Sequence, residues 1–258
     1  MKKISIIESV RNKLKNKSPS IGSWMQLPHA SIAEIIGDSG YDWVAVDLEH
    51  GSFSLHQLPD IFRALELGNT LPLARLAQGS IKECKQVLDA GAAGVIIPMI
   101  ESADQLEEIK NACCWPPSGG RGVGFSRANL FGKNFDLYSV EAQAPLLIAM
   151  IEHVRAIENL HSILNVPGLD AILIGPYDLS ASMNLTAQFE HPAFQKALDQ
   201  IHQLSVHSDV ALGIHVVQPS VALLKQRLAE GYQFIAYSGD AIFLQNQIQN
   251  PLHEELMK

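Results

Sequence analysis

Eight short, nearly continuous apolar runs recur along the chain: GSWMQL (22–27), DWVAVDLE (42–49), LPLARLA (71–77), GVIIPMI (94–100), PLLIAMIE (145–152), DAILIGP (170–176), ALGIHVV (211–217) and QFIAYSG (233–239). Their length and composition predict strands. Between them lie stretches with apolar residues at helical spacing, such as SIAEIIGDSG, SLHQLPDIFRALELG, SIKECKQVLDAG, SADQLEEIKNACC, RAIENLHSILNV, FQKALDQIHQLS and PSVALLKQRLAEG. Several end on a glycine, the residue that most easily takes the left-handed conformation closing a helix. Strands that are apolar throughout, rather than alternating, belong to a sheet covered on both faces. Strict strand–helix alternation makes that sheet parallel. Eight such units predict a (β/α)8 barrel, an α/β fold, as one domain over residues 1–258. A doubly wound open sheet is the rival architecture, but no GxGxxG follows the first strand and eight units exceed its needs.

Composition narrows the functional classes. The chain has 258 residues, is 47% hydrophobic and carries a formal net charge of −8. An acidic protein without a basic patch is not built for nucleic acid or an anionic membrane surface, so a small-molecule partner is expected. Cys84, Cys113 and Cys114 are too few and too badly spaced for a disulfide framework or a zinc site. The first residues, MKKISIIESVRNKLKNK, interrupt their apolar positions with charges and form no signal-peptide core. A cytoplasmic protein is the expectation.

In a barrel of this kind the active site is built from the loops at the C-terminal ends of the strands. Those ends are rich in chemistry. The second carries Asp47, Glu49 and His50, the third Arg75, the fifth Glu152 and His153, the sixth Gly175, Pro176, Tyr177 and Asp178, the seventh His215, and the eighth Ser238, Gly239 and Asp240. Polar residues end strands in any protein, but carboxylates grouped on one rim repel each other unless a cation or arginine sits among them. Arg75 interrupts an apolar strand; it either faces the mouth or makes a structural ion pair. All twelve lysines, at 2, 3, 13, 15, 17, 82, 85, 110, 133, 196, 225 and 258, fall outside the predicted strands. A Schiff-base lysine of a barrel normally projects from a strand, so carbanion chemistry here would rely on a metal ion and hydrogen-bond donors.

The blocks DWVAVDLEHG, LDAGAAGVIIPMI, PPSGGRGVG, IEHVRAIEN, GPYDLSASM and GIHVVQP, in this order, resemble the HpcH/HpaI aldolases, metal-dependent pyruvate aldolases of the phosphoenolpyruvate/pyruvate barrel superfamily. The resemblance spans roughly residues 20 to 245. It implies reversible aldol cleavage of a 4-hydroxy-2-oxo acid to pyruvate and an aldehyde. It also implies a barrel whose C-terminal helix is exchanged between subunits, and a hexamer built from such pairs. Glu152 and Asp178 match the two carboxylate ligands of a divalent ion, Mg2+, Mn2+ or Co2+. Arg75 matches the arginine that holds the pyruvyl oxygen, and His50 the histidine that takes the proton from the substrate 4-hydroxyl. Asp47 and Asp89 match the acids that orient that histidine, and the helix start at Gly175–Asp178 matches the binding site for the substrate carboxylate.

For single residues other roles stay open: Asp178 as a helix N-cap, Glu152 as an ion-pair partner of Arg155, Asp47 as a strand cap, Asp89 as a solvated helix end. Arg121, in the glycine-rich PPSGGRGVG, is expected to lie over the mouth. Met150 departs from the family pattern, in which a glutamine stands two residues before the first ligand. Two alternatives compete with the aldolase reading: a related barrel lyase acting on a thioester or dicarboxylate, which needs a longer groove, and a barrel that binds pyruvate or a sugar acid without turnover.

Overall fold

The computed structural model describes residues 2–248. Eight strands, β1 (Ser20–Met25), β2 (Trp43–Asp47), β3 (Leu71–Arg75), β4 (Gly94–Ile97), β5 (Leu146–Ile151), β6 (Ala171–Ile174), β7 (Ala211–Val216) and β8 (Phe234–Gly239), coincide with the eight apolar runs. Each pairs in parallel with the next, and β8 closes onto β1. The (β/α)8 barrel is therefore the observed fold.

Connecting helices follow the amphipathic stretches, at Ala30–Gly37, Leu58–Leu67, Ile81–Ala90, Ala103–Cys113, Pro192–Ser205 and Val221–Ala229. The stretch expected as one helix over 155–166 breaks into Val154–Glu158 and Leu160–Leu164. Helix starts are capped locally. Ser80 accepts the amide of Glu83 while the Glu83 carboxylate returns to the Ser80 amide, a reciprocal capping box, and Gly91 closes the same helix at φ 112.

Alternation along each strand divides the side chains into two sets. Val44 and Val46, Ala74, Val95, Ile172, Leu212 and Ile214 point outward and pack with the helices. Trp43, Ala45, Leu71, Leu73, Leu146, Ile148, Ala171, Leu173 and Phe234 point inward and fill the barrel. The helix Lys2–Lys15, not predicted as an element, lays Ile7, Val10 and Leu14 against this inner cluster. Above it the rings of Trp43 and Phe234 stack 4.1 Å apart and nearly parallel. The N-terminal end of the barrel is thus stoppered.

The outer layer thins beside β7, β8 and β1. The helix Val221–Ala229 buries none of its residues, and the helix Asp240–Gln247 buries only Asp240. Residues 249–258 of the C-terminal segment expected to exchange between subunits lie outside the described residues. Among the described residues no helix is long and apolar enough to cross a membrane, and all three cysteines are free and buried.

Candidate active site

The inward alternation carries directly to the strand ends. Counting by twos from Trp43, Leu71, Leu146, Ala171, Ala211 and Phe234 reaches Asp47, Arg75, Glu152, Gly175, His215 and Ser238. All six line one cavity of about 280 Å³ at the C-terminal end of the barrel, which also takes in His50, Pro176, Tyr177 and Asp178. Met150 lies one inward step below Glu152 and gives that part of the floor a thioether, which offers no hydrogen-bond donor.

Arg75 sits at the centre of a charged network. Asp47 and Arg75 are register partners on β2 and β3, and Nη1 of the arginine donates to Asp47 Oδ1 at 3.2 Å. Its Nη2 pairs with Glu49 and lies 3.7 Å from Glu152 Oε1. The guanidinium is 4% exposed, and its Nε has no hydrogen-bond partner among the described residues. Both sequence alternatives hold together: Arg75 faces the mouth and is ion-paired there.

Asp47 is the hub of the second strand end. Its Oδ1 accepts the backbone amides of Glu49 (3.1 Å) and His50 (3.2 Å), and its Oδ2 accepts Gln26 Nε2 (3.1 Å). Burial pushes the carboxyl pKa up, but the Arg75 charge and the hydrogen bonds from Gln26, Trp24 and His50 outweigh it and leave it below the ordinary value. The tight turn depends on Gly51, where a Cβ would meet the Asp47 carbonyl oxygen at 2.2 Å. Asp47 therefore positions His50 through its backbone. The imidazole itself projects from the rim, 62% exposed, with Nε2 4.0 Å from Glu49 Oε1.

Glu152 is 2% exposed. Its Oε2 accepts the backbone amide of Met99 at 2.9 Å. Met99 adopts a left-handed conformation, φ 49, at the end of β4; nothing in the sequence marked it. The Glu152 pKa is raised to about 7: burial is the main cause, the Met99 amide and Arg75 oppose it, and the charges of Asp178 and Glu49 add to the rise. Gly175 leaves the room this carboxylate occupies, because a Cβ there would sit 2.6 Å from Glu152 Oε1. Asp178 is exposed in the first turn of the helix Pro176–Ser182, whose N-cap is Gly175, so it is not the cap. Arg155 pairs with Glu101 instead of Glu152.

Three carboxylates, Asp47, Glu49 and Glu152, thus face one guanidinium, and Asp178 adds a fourth negative charge beside Glu152. A buried carboxylate with a raised pKa, crowded by a second carboxylate, suits a hard divalent cation bound through oxygen. Among the described residues no group of three or more His, Cys, Asp or Glu side chains is arranged to hold a metal. An ion here would rest on Glu152 and Asp178 and keep its remaining positions open.

Two expected residues are elsewhere. Asp89 stands near the end of the helix Ile81–Ala90, in a shallow depression with Lys82, Lys85 and Leu55, so this chain does not bring it to its own mouth. Burial raises its pKa, against the pull of Arg121 and Lys85. Arg121 does not cover the mouth. It is buried beside Trp115 and Tyr138, donating to the Tyr138 hydroxyl at 2.8 Å, and the two aromatic faces 5.7 and 5.8 Å from it offset part of the cost of burying its charge.

The sequence profile of the HpcH/HpaI aldolase/citrate lyase family matches residues 20–246. The chain belongs to this family. It is 32% identical over 243 residues to a hydroxypyruvate/pyruvate aldolase of Roseobacter denitrificans, covering 93% of this chain and 94% of that protein. It is 35% identical over 242 residues to a 2-keto-3-deoxy-L-rhamnonate aldolase of Salmonella gallinarum, covering 93% and 90%. The crystal structure of an HpcH/HpaI aldolase/citrate lyase family protein from Burkholderia cenocepacia superposes with a TM-score of 0.89 at 29% identity, over 97% of this chain and 99% of that one.

Proposed function

We propose that this family member is a carbon–carbon lyase that reversibly cleaves a 4-hydroxy-2-oxo acid to pyruvate and an aldehyde with the help of a divalent metal ion, Mg2+, Mn2+ or Co2+. One observation carries the reading: buried Glu152, crowded by Asp178 and flanked by Arg75, lies at the mouth of a barrel whose strands contain no lysine. Relatives acting on pyruvate and on a 2-keto-3-deoxy sugar acid support it.

Glu152 and Asp178 would hold the ion, which when bound supplies a Lewis acid for the keto group. Arg75, fixed by Asp47 and Glu49, donates to the pyruvyl oxygen as negative charge grows there. The backbone amides of Tyr177 and Asp178 in the first helical turn, where Pro176 has none to give, hold the substrate carboxylate. His50 takes the proton from the 4-hydroxyl as the C3–C4 bond breaks and can return one in the synthetic direction. A mouth of about 280 Å³ fits a short oxo acid; a thioester would need a longer groove, so the aldolase reading is preferred to the thioester lyase.

Assembly completes the proposal. The thin outer layer beside β7, β8 and β1 and the exposed apolar side chains of Val123, Phe125, Leu130 and Phe131 fit a homo-oligomer. We take this to be the hexamer of helix-exchanging pairs, in the cytoplasm, with Asp89 orienting His50 of a neighbouring copy. The chemical class is tested by treating the protein with pyruvate and borohydride and, separately, with EDTA. Expected are no covalent adduct, and activity lost to EDTA and restored by Mn2+; a pyruvyl-lysine adduct in the mass spectrum would overturn the metal-dependent reading.

A further inference from the structure

The pyruvyl half of the substrate, in the function proposed above, occupies the wall formed by β3, β5 and β6, where Arg75, Glu152, Gly175 and Asp178 converge. The opposite wall, from β7, β8 and β1, has no part in that chemistry. Its imidazole is His215, which shares the wall with the apolar Trp24, Val217 and Ile242 and with the polar Gln26 and Ser238. The imidazole stacks on the Trp24 indole with centroids 4.9 Å apart and 29° between planes, which fixes the ring.

The tautomer follows from its one hydrogen bond. Nε2 lies 3.3 Å from the backbone carbonyl oxygen of Ser238. A carbonyl can only accept, so Nε2 carries the hydrogen and Nδ1 keeps its lone pair. Ser238 holds that carbonyl in place with a left-handed backbone, φ 52, a conformation uncommon for a serine. Burial lowers the His215 pKa to about 4, against the hydrogen bond to Ser238 and the charge of Asp47, with Arg75 adding to the depression. At neutral pH the ring is therefore an uncharged acceptor rather than a cation. An acceptor held in a fixed direction by the Trp24 stack and the Ser238 carbonyl selects for a donor.

We propose that His215 reads the aldehyde half of the substrate by accepting a hydrogen bond at Nδ1 from a hydroxyl group there, so that hydroxyaldehydes are preferred to alkyl aldehydes. It is a specificity-determining residue, and it leaves bond cleavage to Arg75 and His50. The inference rests on the proposed aldol chemistry.

The test compares kcat/KM for addition of pyruvate to glycolaldehyde and to acetaldehyde, which differ by one hydroxyl, in the wild type, His215→Leu and His215→Asn. The wild type is expected to prefer glycolaldehyde by on the order of tenfold, the value of one hydrogen bond in a largely dry site. In His215→Leu the ratio should fall to about one. In His215→Asn, whose carbonyl oxygen can stand where Nδ1 was, part of the preference should return. A wild type without preference, a leucine variant that keeps it, or equal losses for both aldehydes would each overturn the assignment. Exchange of the pyruvate methyl protons, measured on the wild type without aldehyde, reports the underlying chemistry separately. If exchange occurs and the preference is missing, only the role of His215 falls; if neither exchange nor addition occurs, the proposed function falls with it.

Discussion

Gly175→Ala isolates the space beside Glu152. Gly175 has φ −94 and ψ 96, an extended conformation open to any residue, so the backbone itself would accept alanine. The obstacle is steric. The new methyl would stand 2.6 Å from Glu152 Oε1 and 2.7 Å from its Cγ, an overlap of about 1 Å against normal carbon contacts. Two responses are available. Glu152 can swing away and lose the Met99 amide, a charge-assisted hydrogen bond of about 1.5–3 kcal/mol, or β6 can move outward at the ~1–3 kcal/mol typical of an overpacked core. Either displaces the buried carboxylate from Asp178, and Mn2+ affinity should fall by about 10–100-fold, as when a group supporting a ligand is lost. Calorimetry with Mn2+ reads the affinity, pyruvate release the activity, and thermal melting of the EDTA-treated protein the strain. A companion change, Glu152→Asp, shortens the side chain by one methylene; alanine should cost less in that background, a coupling of about 0.5–3 kcal/mol. Wild-type Mn2+ affinity and turnover in Gly175→Ala would refute the placement of the metal at Glu152.

Two further outcomes are expected. Arg75→Lys keeps the charge but loses the planar fork that meets Asp47 and Glu49, and turnover should fall on the order of 10²-fold; near-normal kinetics would make Arg75 a purely structural residue. Glu152, with a folded-state pKa of about 7 above the ordinary 4.5, binds its proton more tightly folded than unfolded. Its contribution to the metal-free protein is thus fully present below pH 4.5 and lost as pH rises through 7, on the order of 3 kcal/mol. Denaturant melts in EDTA should show this loss in the wild type and not in Glu152→Gln, and parallel pH curves would contradict it.

The barrel was legible because each strand is a separate apolar run and strands buried on both faces leave few polar interruptions. The stopper is harder to see in the sequence: Ile7, Val10 and Leu14 stand at helical spacing, but Glu8, Arg11 and Lys13 between them break up the apolar face. Around the mouth, residues on a strand or its first turn could be placed by counting inward positions, which brings Asp47, Arg75, Glu152 and Gly175 together. Contacts made by the backbone were invisible. The match to the family gives Asp47 the task of orienting the His50 ring, whereas the turn wraps the amides of residues 49 and 50 around its carboxylate. The Met99 amide reaches Glu152 across 53 positions, and no pattern in either segment announces it. Arg121 was misplaced because its aromatic partners Trp115 and Tyr138 are 23 positions apart and come together only in the fold.

The stoppered barrel also dictates the route of traffic. With Ile7, Val10 and Leu14 below and Trp43 stacked on Phe234 above them, the mouth is a cup with a single opening. Arg75 and Glu152 are buried toward its base, while His50 stands exposed at the lip. In the function proposed above, the oxo acid must pass the exposed His50 to reach Arg75 and Glu152, and both fragments must leave through the opening by which the substrate came, since the other end of the barrel is closed.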